Sequence, residues 1–306
     1  MPGSLPHRLS RNEGRQMKHT LRNPWVYLLM IVPTLVLYCL FFIYPMVTSS
    51  FYAFTDWNGL SNYKFIGFNN FIDVFNDSDF INAIGNNMLF IVFAVCVQVP
   101  LIIFFAILIA NVRKLQRLYK TTVFIPSILS TSVIGILWGF VLHPNIGPVN
   151  KLLSVFGIDP VYWLADSAWA LPAVLVVNAW QWMGFYIVLV LAAILALPKE
   201  MNEAAEIDGA SGFQRAWYLT VPLIKPIISV VVMLSISGAM RVVDIVLVMT
   251  QGGPVGATEV MASYLVNEAM GVNPNYGLGT SISLIIFAFA LLLTALYQST
   301  FGKVKE

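Results

Sequence analysis

Six stretches of this chain are long, apolar and almost free of charge: Trp25–Val47, Met88–Ala110, Thr122–Leu142, Trp169–Ala196, Ile227–Met249 and Gly277–Tyr297. A helix needs about 20 apolar residues to cross a hydrocarbon core about 30 Å thick, and each stretch is that long. Lipid offers no partner for a backbone N–H or C=O, so a spanning segment must be a helix or part of a closed barrel. Barrel strands are about ten residues long and alternate strictly. Continuous runs such as VCVQVPLIIFFAILIA fit helices instead. The expected fold is all-α integral membrane with six transmembrane helices over 25–297, between tails at 1–24 and 298–306. The composition, 58% hydrophobic and 10% charged over 306 residues, agrees; soluble domains run about 45–50% and about 25%. The first stretch is too long for a secretory signal and no small-residue cleavage site follows it, so it reads as an uncleaved helix.

Charge sets the orientation. The tail before Pro24 carries Arg8, Arg11, Arg15, Lys18 and Arg22, and the loop after the second stretch carries Arg113, Lys114, Arg117 and Lys120. Lys199, Arg215 and Lys225 follow the fourth stretch, and Lys303 and Lys305 end the chain. The intervening loops hold only Lys64 and Lys151. The positive-inside rule therefore predicts both termini in the cytoplasm, and an even number of spans demands the same. Trp57, Tyr63, Tyr162, Trp163 and Tyr264 fall in the outer loops; they fit an interfacial aromatic belt or ordinary loop packing equally well.

What is absent narrows the function. There is no G-x-x-x-x-G-K-[ST] phosphate loop, so ATP hydrolysis by this chain is not expected. There is no H-E-x-x-H, and His143 is the one histidine outside the N-terminal tail. A metal site or histidine catalysis is not expected either. Gly277-Leu278-Gly279 opens a G-x-G pattern that Ile282 breaks. A net charge of +2 gives no reason to expect a nucleic-acid partner. Cys39 and Cys96 read as packing residues. Proton-driven carriers hold relays of intramembrane carboxylates, whereas here only Arg241 and Asp244 fall inside an apolar stretch. An unpaired charge at that depth costs about 2.5–3.5 kcal/mol. Spacing of i, i+3 puts the two on one helix face, where they either pair structurally or line a pathway. Gly135 and Gly139 form G-x-x-x-G, the signature of close helix packing.

One loop, 198–226, is not a simple basic connector. Glu203-Ala204-Ala205-Glu206-Ile207 favours a helix, Asn202 is a candidate cap, and Gly209 and Gly212 end or bend it. Pro222 and Pro226 punctuate the re-entry into the fifth stretch. Its small residues suit a docking knob, but a solvated amphipathic turn would look the same.

The pattern E-A-A, three residues, Gly, nine residues, I-x-L-P resembles the signature loop of permease subunits of binding-protein-dependent ABC importers. Here Glu203-Ala204-Ala205 and Gly209 match, and Leu219, Val221 and Pro222 stand in the I-x-L-P positions. Ile207-Asp208-Gly209-Ala210-Ser211 looks like the sugar-type branch (maltose, multiple-sugar and glycerol-phosphate permeases). Three more stretches resemble the family in the right order: SSFYAFTDWNG with FIGFNNFIDVF, FIPSILSTSVIGILWGFVLHPNIGPVN, and VLVMTQGGPVGATEV.

The resemblance implies a type I ABC importer permease fold in a bacterial-type cytoplasmic membrane. It implies four partners: a second related permease, two copies of a cytoplasmic ATPase that bind ATP and Mg, an extracytoplasmic binding protein, and a sugar or oligosaccharide. No cofactor and no catalysis are expected in this chain. Carried over, Glu203, Ala204, Ala205, Asp208, Gly209 and Ala210 are the expected ATPase-coupling positions. Asn178, Gln181, Trp182 and Phe185 on the fourth stretch, with Arg241 and Asp244, are candidates for the substrate pathway, each against an alternative of helix packing. The outer loop 48–86 is expected either to receive the binding protein or simply to cover the bundle. A glycerol-phosphate or polyol permease is the nearest alternative, and a solitary secondary carrier is a distant one. A phosphorylated substrate would want clustered Lys and Arg; one candidate, Arg241, is available.

Overall fold

A computed structural model of the protein describes residues 24–301 except 61, 113, 272 and 273. The basic tail expected at 1–24 and the last residues of the C-terminal tail lie almost wholly outside that range. The described residues form helices and loops, with one isolated bridge between Thr55 and Phe65. Four helices are long and apolar enough to cross a membrane: Tyr27–Tyr52, Ser78–Asn111, Ser167–Leu195 and Tyr276–Ser299. Two bent pairs, Gln116–Ile128 with Thr131–Val141 and Gly212–Leu223 with Lys225–Met240, bring the number to six if each pair is one span. We refer to these six segments in chain order as the first to sixth spans.

Proline explains the local irregularity of three of them. One wide π-helical turn lies at Cys39–Ile43, a second at Ala94–Gln98 and a third at Arg215–Thr220. Each is followed two residues later by a proline: Pro45, Pro100 and Pro222. A proline inside a helix lacks the N–H donor, and its ring clashes with the carbonyl four residues back. In all three cases the residue before the proline donates five residues back, Tyr44 to Cys39, Val99 to Ala94 and Val221 to Ala216. The wider turn makes room for the ring without ending the helix.

The third span is not the continuous helix expected over Thr122–Leu142. Leu129 and Ser130 are extended, and the two halves meet at 99°. The fifth departs further. Its helix ends at Met240, and after Arg241, Val242 and Val243 a separate short helix runs over Asp244–Met249. Arg241 and Asp244 are therefore not on one helix face, and no ion pair joins them. The sixth helix runs to Phe301, four residues past its expected end.

The core lies among the second to sixth spans, with Ile282 and Ile285 of the sixth packed on Phe80 and Met240. Phe90, Ile134, Val174 and Val246 pack together at one level; Ile102, Ile187, Leu191 and Val231 pack at another. Gly184 lets the fourth span press against the backbone of the third, since a Cβ there would overlap the carbonyl of Val123. Of the G-x-x-x-G pair, only Gly135 packs closely, against Val248; Gly139 faces open space. Cys39 and Cys96 are exposed on the outside of their spans rather than packed. The first span is exposed along its whole apolar window.

Candidate functional site: a rigid elbow and a cavity among the spans

The signature loop folds as two helices joined by a tight elbow. The first, Lys199–Ile207, starts after Pro198; Asn202 lies inside it and does not cap it. Its end is set by Gly209, whose φ of +77° is left-handed. The N–H of Gly209 donates to Glu206 and that of Ala210 donates to Ala205, the paired bonds of a Schellman C-cap. Ser211 then caps the next helix reciprocally with Gln214. Across the elbow, Arg215 Nη1 donates to Glu206 Oε2 at 2.9 Å. Ala205, Asp208, Gly209 and Ala210 line a cleft of about 370 Å³ in the crook, with Arg215 and Tyr218. Glu203 and Ala204 are exposed on the helix outside that cleft. Ile207, Phe213, Trp217 and Tyr218 are large, apolar and exposed around it.

A second cavity, about 380 Å³, opens among the second, fourth and fifth spans. Phe90, Phe93, Trp182, Phe185 and Tyr186 give it aromatic walls. Its polar groups include Asn178, Gln98, Thr131, Arg241 and Asp244. Arg241 and Asp244 stand on either side of the break after the fifth span, and the Arg241 Nε donates to the Ser237 carbonyl at 3.3 Å. Five of the six candidate pathway residues thus meet in one place. The sixth, Gln181, does not line the cavity. It is 1% exposed and donates to Thr131 Oγ1 at 3.0 Å and to the Leu129 carbonyl at 3.4 Å. Gln181 serves the bend of the third span, supplying a donor where the helix stops.

Sequence reasoning missed the asparagines of the second span. Asn82 and Asn86 donate to carbonyls of the 250–260 loop, at Gly256 and Glu259, both at 2.7 Å. Asn87 donates to Ala239 and accepts from the Met261 N–H. Three asparagines clustered beside an apolar run were the available signal; Asn86 and Asn87 are buried, and a buried amide must find partners, while Asn82 is exposed. They fix a loop whose tip, Val255, is fully exposed. At its base, burial holds the Glu259 carboxyl above its ordinary range; hydrogen bonds from Ser263 and Asn267 oppose that, and nearby Asp79 adds to it.

Residues 98–303 match the family described as binding-protein-dependent transport system inner membrane component. Among curated relatives, the probable ABC transporter permease protein YurN of Bacillus subtilis is 32% identical over 91% of this chain and 96% of its own. The trehalose/maltose transport system permease protein MalF of Thermococcus litoralis is 31% identical over 88% of this chain and 91% of its own. A solved chain from a bacterial ABC transporter importing the acidic polysaccharide alginate superposes with a TM-score of 0.82, covering 95% of this chain and all of its own, at 24% identity. That likeness is one of fold.

Proposed function

The chain belongs to the family of binding-protein-dependent transport system inner membrane components, in its sugar-type branch, and from that premise we propose that it is one of two permeases in an ATP-driven importer of a sugar or oligosaccharide. In this reading all six spans cross the cytoplasmic membrane and both termini are cytoplasmic. A second permease completes the pathway, two ATPase copies bind ATP and Mg, and an extracytoplasmic binding protein delivers the substrate. This chain binds no cofactor and performs no catalysis.

The observation that carries the reading is the elbow at Gly209. A docking helix transmits force only if its connection is stiff. Here a Schellman cap, a capping box and an ion pair act within one short segment. Its small residues, Ala204, Ala205 and Ala210, permit close approach by a partner groove, and exposed Glu203 is available to a basic group there. The chain then runs from Gly212 through the two halves of the fifth span, which meet at 73° around Ile224, to the cavity wall at Leu234, Ser235 and Gly238. Movement of the loop by the ATPase pair would thus be delivered to the cavity, with the helix bundle as the bistable element.

The cavity favours an uncharged sugar. Its aromatic walls suit sugar ring faces, and Asn178 and Gln98 suit hydroxyls. Asp244 stands near Arg241 in the lining, so a phosphate would meet one cation and one anion, which disfavours a glycerol-phosphate substrate. A solitary carrier lacks support as well: among the described residues the cavity lining holds one carboxylate, Asp244, and no cluster to bind a coupling ion. The test is co-purification from detergent. Wild type should bring down a second permease and an ATPase. Glu203→Arg and Gly209→Pro should lose the ATPase and keep the permease. Retention of the ATPase by both variants would contradict the docking assignment.

A further inference from the structure

Two short helices outside the spans were not foreseen, and they share an unusual construction. One is Asn69–Asn76, joined to the second span through Asp77 alone; the other is Pro148–Val155, between the third and fourth spans. At about 100° per residue, each divides into three sectors. In the first helix, Asn70 and Val74 are buried and Phe71 packs beside them on the core. Phe68, Ile72 and Phe75 form a second, exposed apolar sector. Asn69, Asp73 and Asn76 form a third, exposed and polar. In the second helix Asn150 is buried, and Val149 and Leu153 turn inward with it. Leu152 and Val155, followed by Phe156, are exposed and apolar, at 63, 78 and 73%. Lys151 and Ser154 make the polar sector.

An ordinary surface helix needs two sectors, core and water. A third sector that is apolar yet exposed needs a third medium. We propose that both helices lie flat in the headgroup boundary of the bilayer, on the side opposite the signature loop, with Ile72, Phe75, Leu152 and Val155 sunk among lipid chains. Continuity with the lipid-facing surface selects lipid over a protein partner. Phe75 meets the buried ring of Phe80 edge-on at 6.1 Å, which holds the helix against the start of the second span, where the next residue, Ile81, is exposed. Exposed apolar residues continue along that span through Ile81, Leu89 and Val92. The second helix is pinned close to the span ends: Asn150 Nδ2 donates to the Pro144 and Val161 carbonyls, and its Oδ1 accepts from the Trp163 indole. Asn70 does the same for the first helix, donating to Ala53 at 2.9 Å and Thr55 at 2.8 Å. Neither helix is free to rise from the membrane surface. An arriving binding protein would then meet the polar sectors and not the apolar ones. The common side of the two helices rests on the six-span reading; their depth does not.

Nitroxide labels test the depth. In a Cys39→Ser, Cys96→Ser background, Ile72→Cys, Val155→Cys, Asp73→Cys and Lys151→Cys are labelled in the whole transporter in lipid nanodiscs. Collision with oxygen, which concentrates in lipid, is compared with collision with a water-soluble nickel chelate. The oxygen-to-nickel ratio should be high at positions 72 and 155, low at 73 and 151, and unchanged at 72 and 155 when binding protein is added. Nickel access at all four positions would overturn the proposal, as would protection of 72 and 155 from both reagents, or their protection only after the binding protein is added. Phe68→Cys and Phe156→Cys repeat the test if either first label perturbs assembly. A membrane-impermeant thiol reagent on Lys151→Cys in intact cells reports sidedness separately, so failure of the six-span reading is distinguishable.

Discussion

Arg241 stands at the end of the fifth span as the helix cap and lines the cavity, with no carboxylate paired to it. A paired structural role would make its loss costly to assembly. The break after Met240 removes that role, so Arg241→Ala should leave the complex recoverable at wild-type yield while changing substrate uptake. Size-exclusion recovery and uptake, measured together, check this; joint loss of both would restore the structural reading. Glu259 is a second case. Its folded pKa is raised above the ordinary value of 4.5 by burial, so its contribution to stability is present when it is protonated and is lost as pH rises from about 4.5. Glu259→Gln should therefore flatten that part of the pH dependence of thermal unfolding and gain on wild type towards neutrality. An unchanged wild-type-to-variant difference across the range would contradict it.

At the scale of elements, what was legible followed from physics with no alternative. Each long apolar run falls on a helix or a bent helix pair; the first, fourth and sixth lie within about five residues of their expected bounds, the second begins ten residues early at Ser78, and the third and fifth are broken. Gly209 was read as a helix end and is one, because left-handed backbone there favours a residue without Cβ. The breaks were less legible. Nothing in Leu129-Ser130 marks a stop, and Gln181 makes that break tolerable; at the second break Arg241 and Asp244 were a visible interruption of the apolar run, but their i, i+3 spacing also fits an unbroken helix. The π turns were hidden for a different reason, as a proline in a run announces a disturbance but not which form it takes. Contact between spans was half legible. The G-x-x-x-G spacing drew attention to Gly135 and Gly139, while the tightest approach is at Gly184. Gly184→Ala should push the third and fourth spans apart, at a cost of about 1–3 kcal/mol or more, and lower the unfolding temperature in detergent. Gly139→Ala, with open space around it, should have little effect. Equal sensitivity at the two sites would mean the helix contact is misplaced.

The whole molecule connects the signature elbow to a cavity through one span. The elbow residues were identifiable from their spacing, and the cavity residues largely from the fourth span's aromatics. What the sequence did not disclose was the asparagine-held 250–260 loop, because it depends on residues more than 170 positions apart meeting at one level, and the pair of three-sectored helices, because burial of Asn70 and Asn150 is set by packing that periodicity does not show. Coupling across this distance predicts that the chain is inert alone. The direct measurement is sugar uptake into proteoliposomes containing this chain with its second permease and ATPase, with and without ATP inside and binding protein outside. The account predicts uptake only when all components and ATP are present, and none with Gly209→Pro. Uptake by this chain alone without ATP, unaffected by Gly209→Pro, would contradict it.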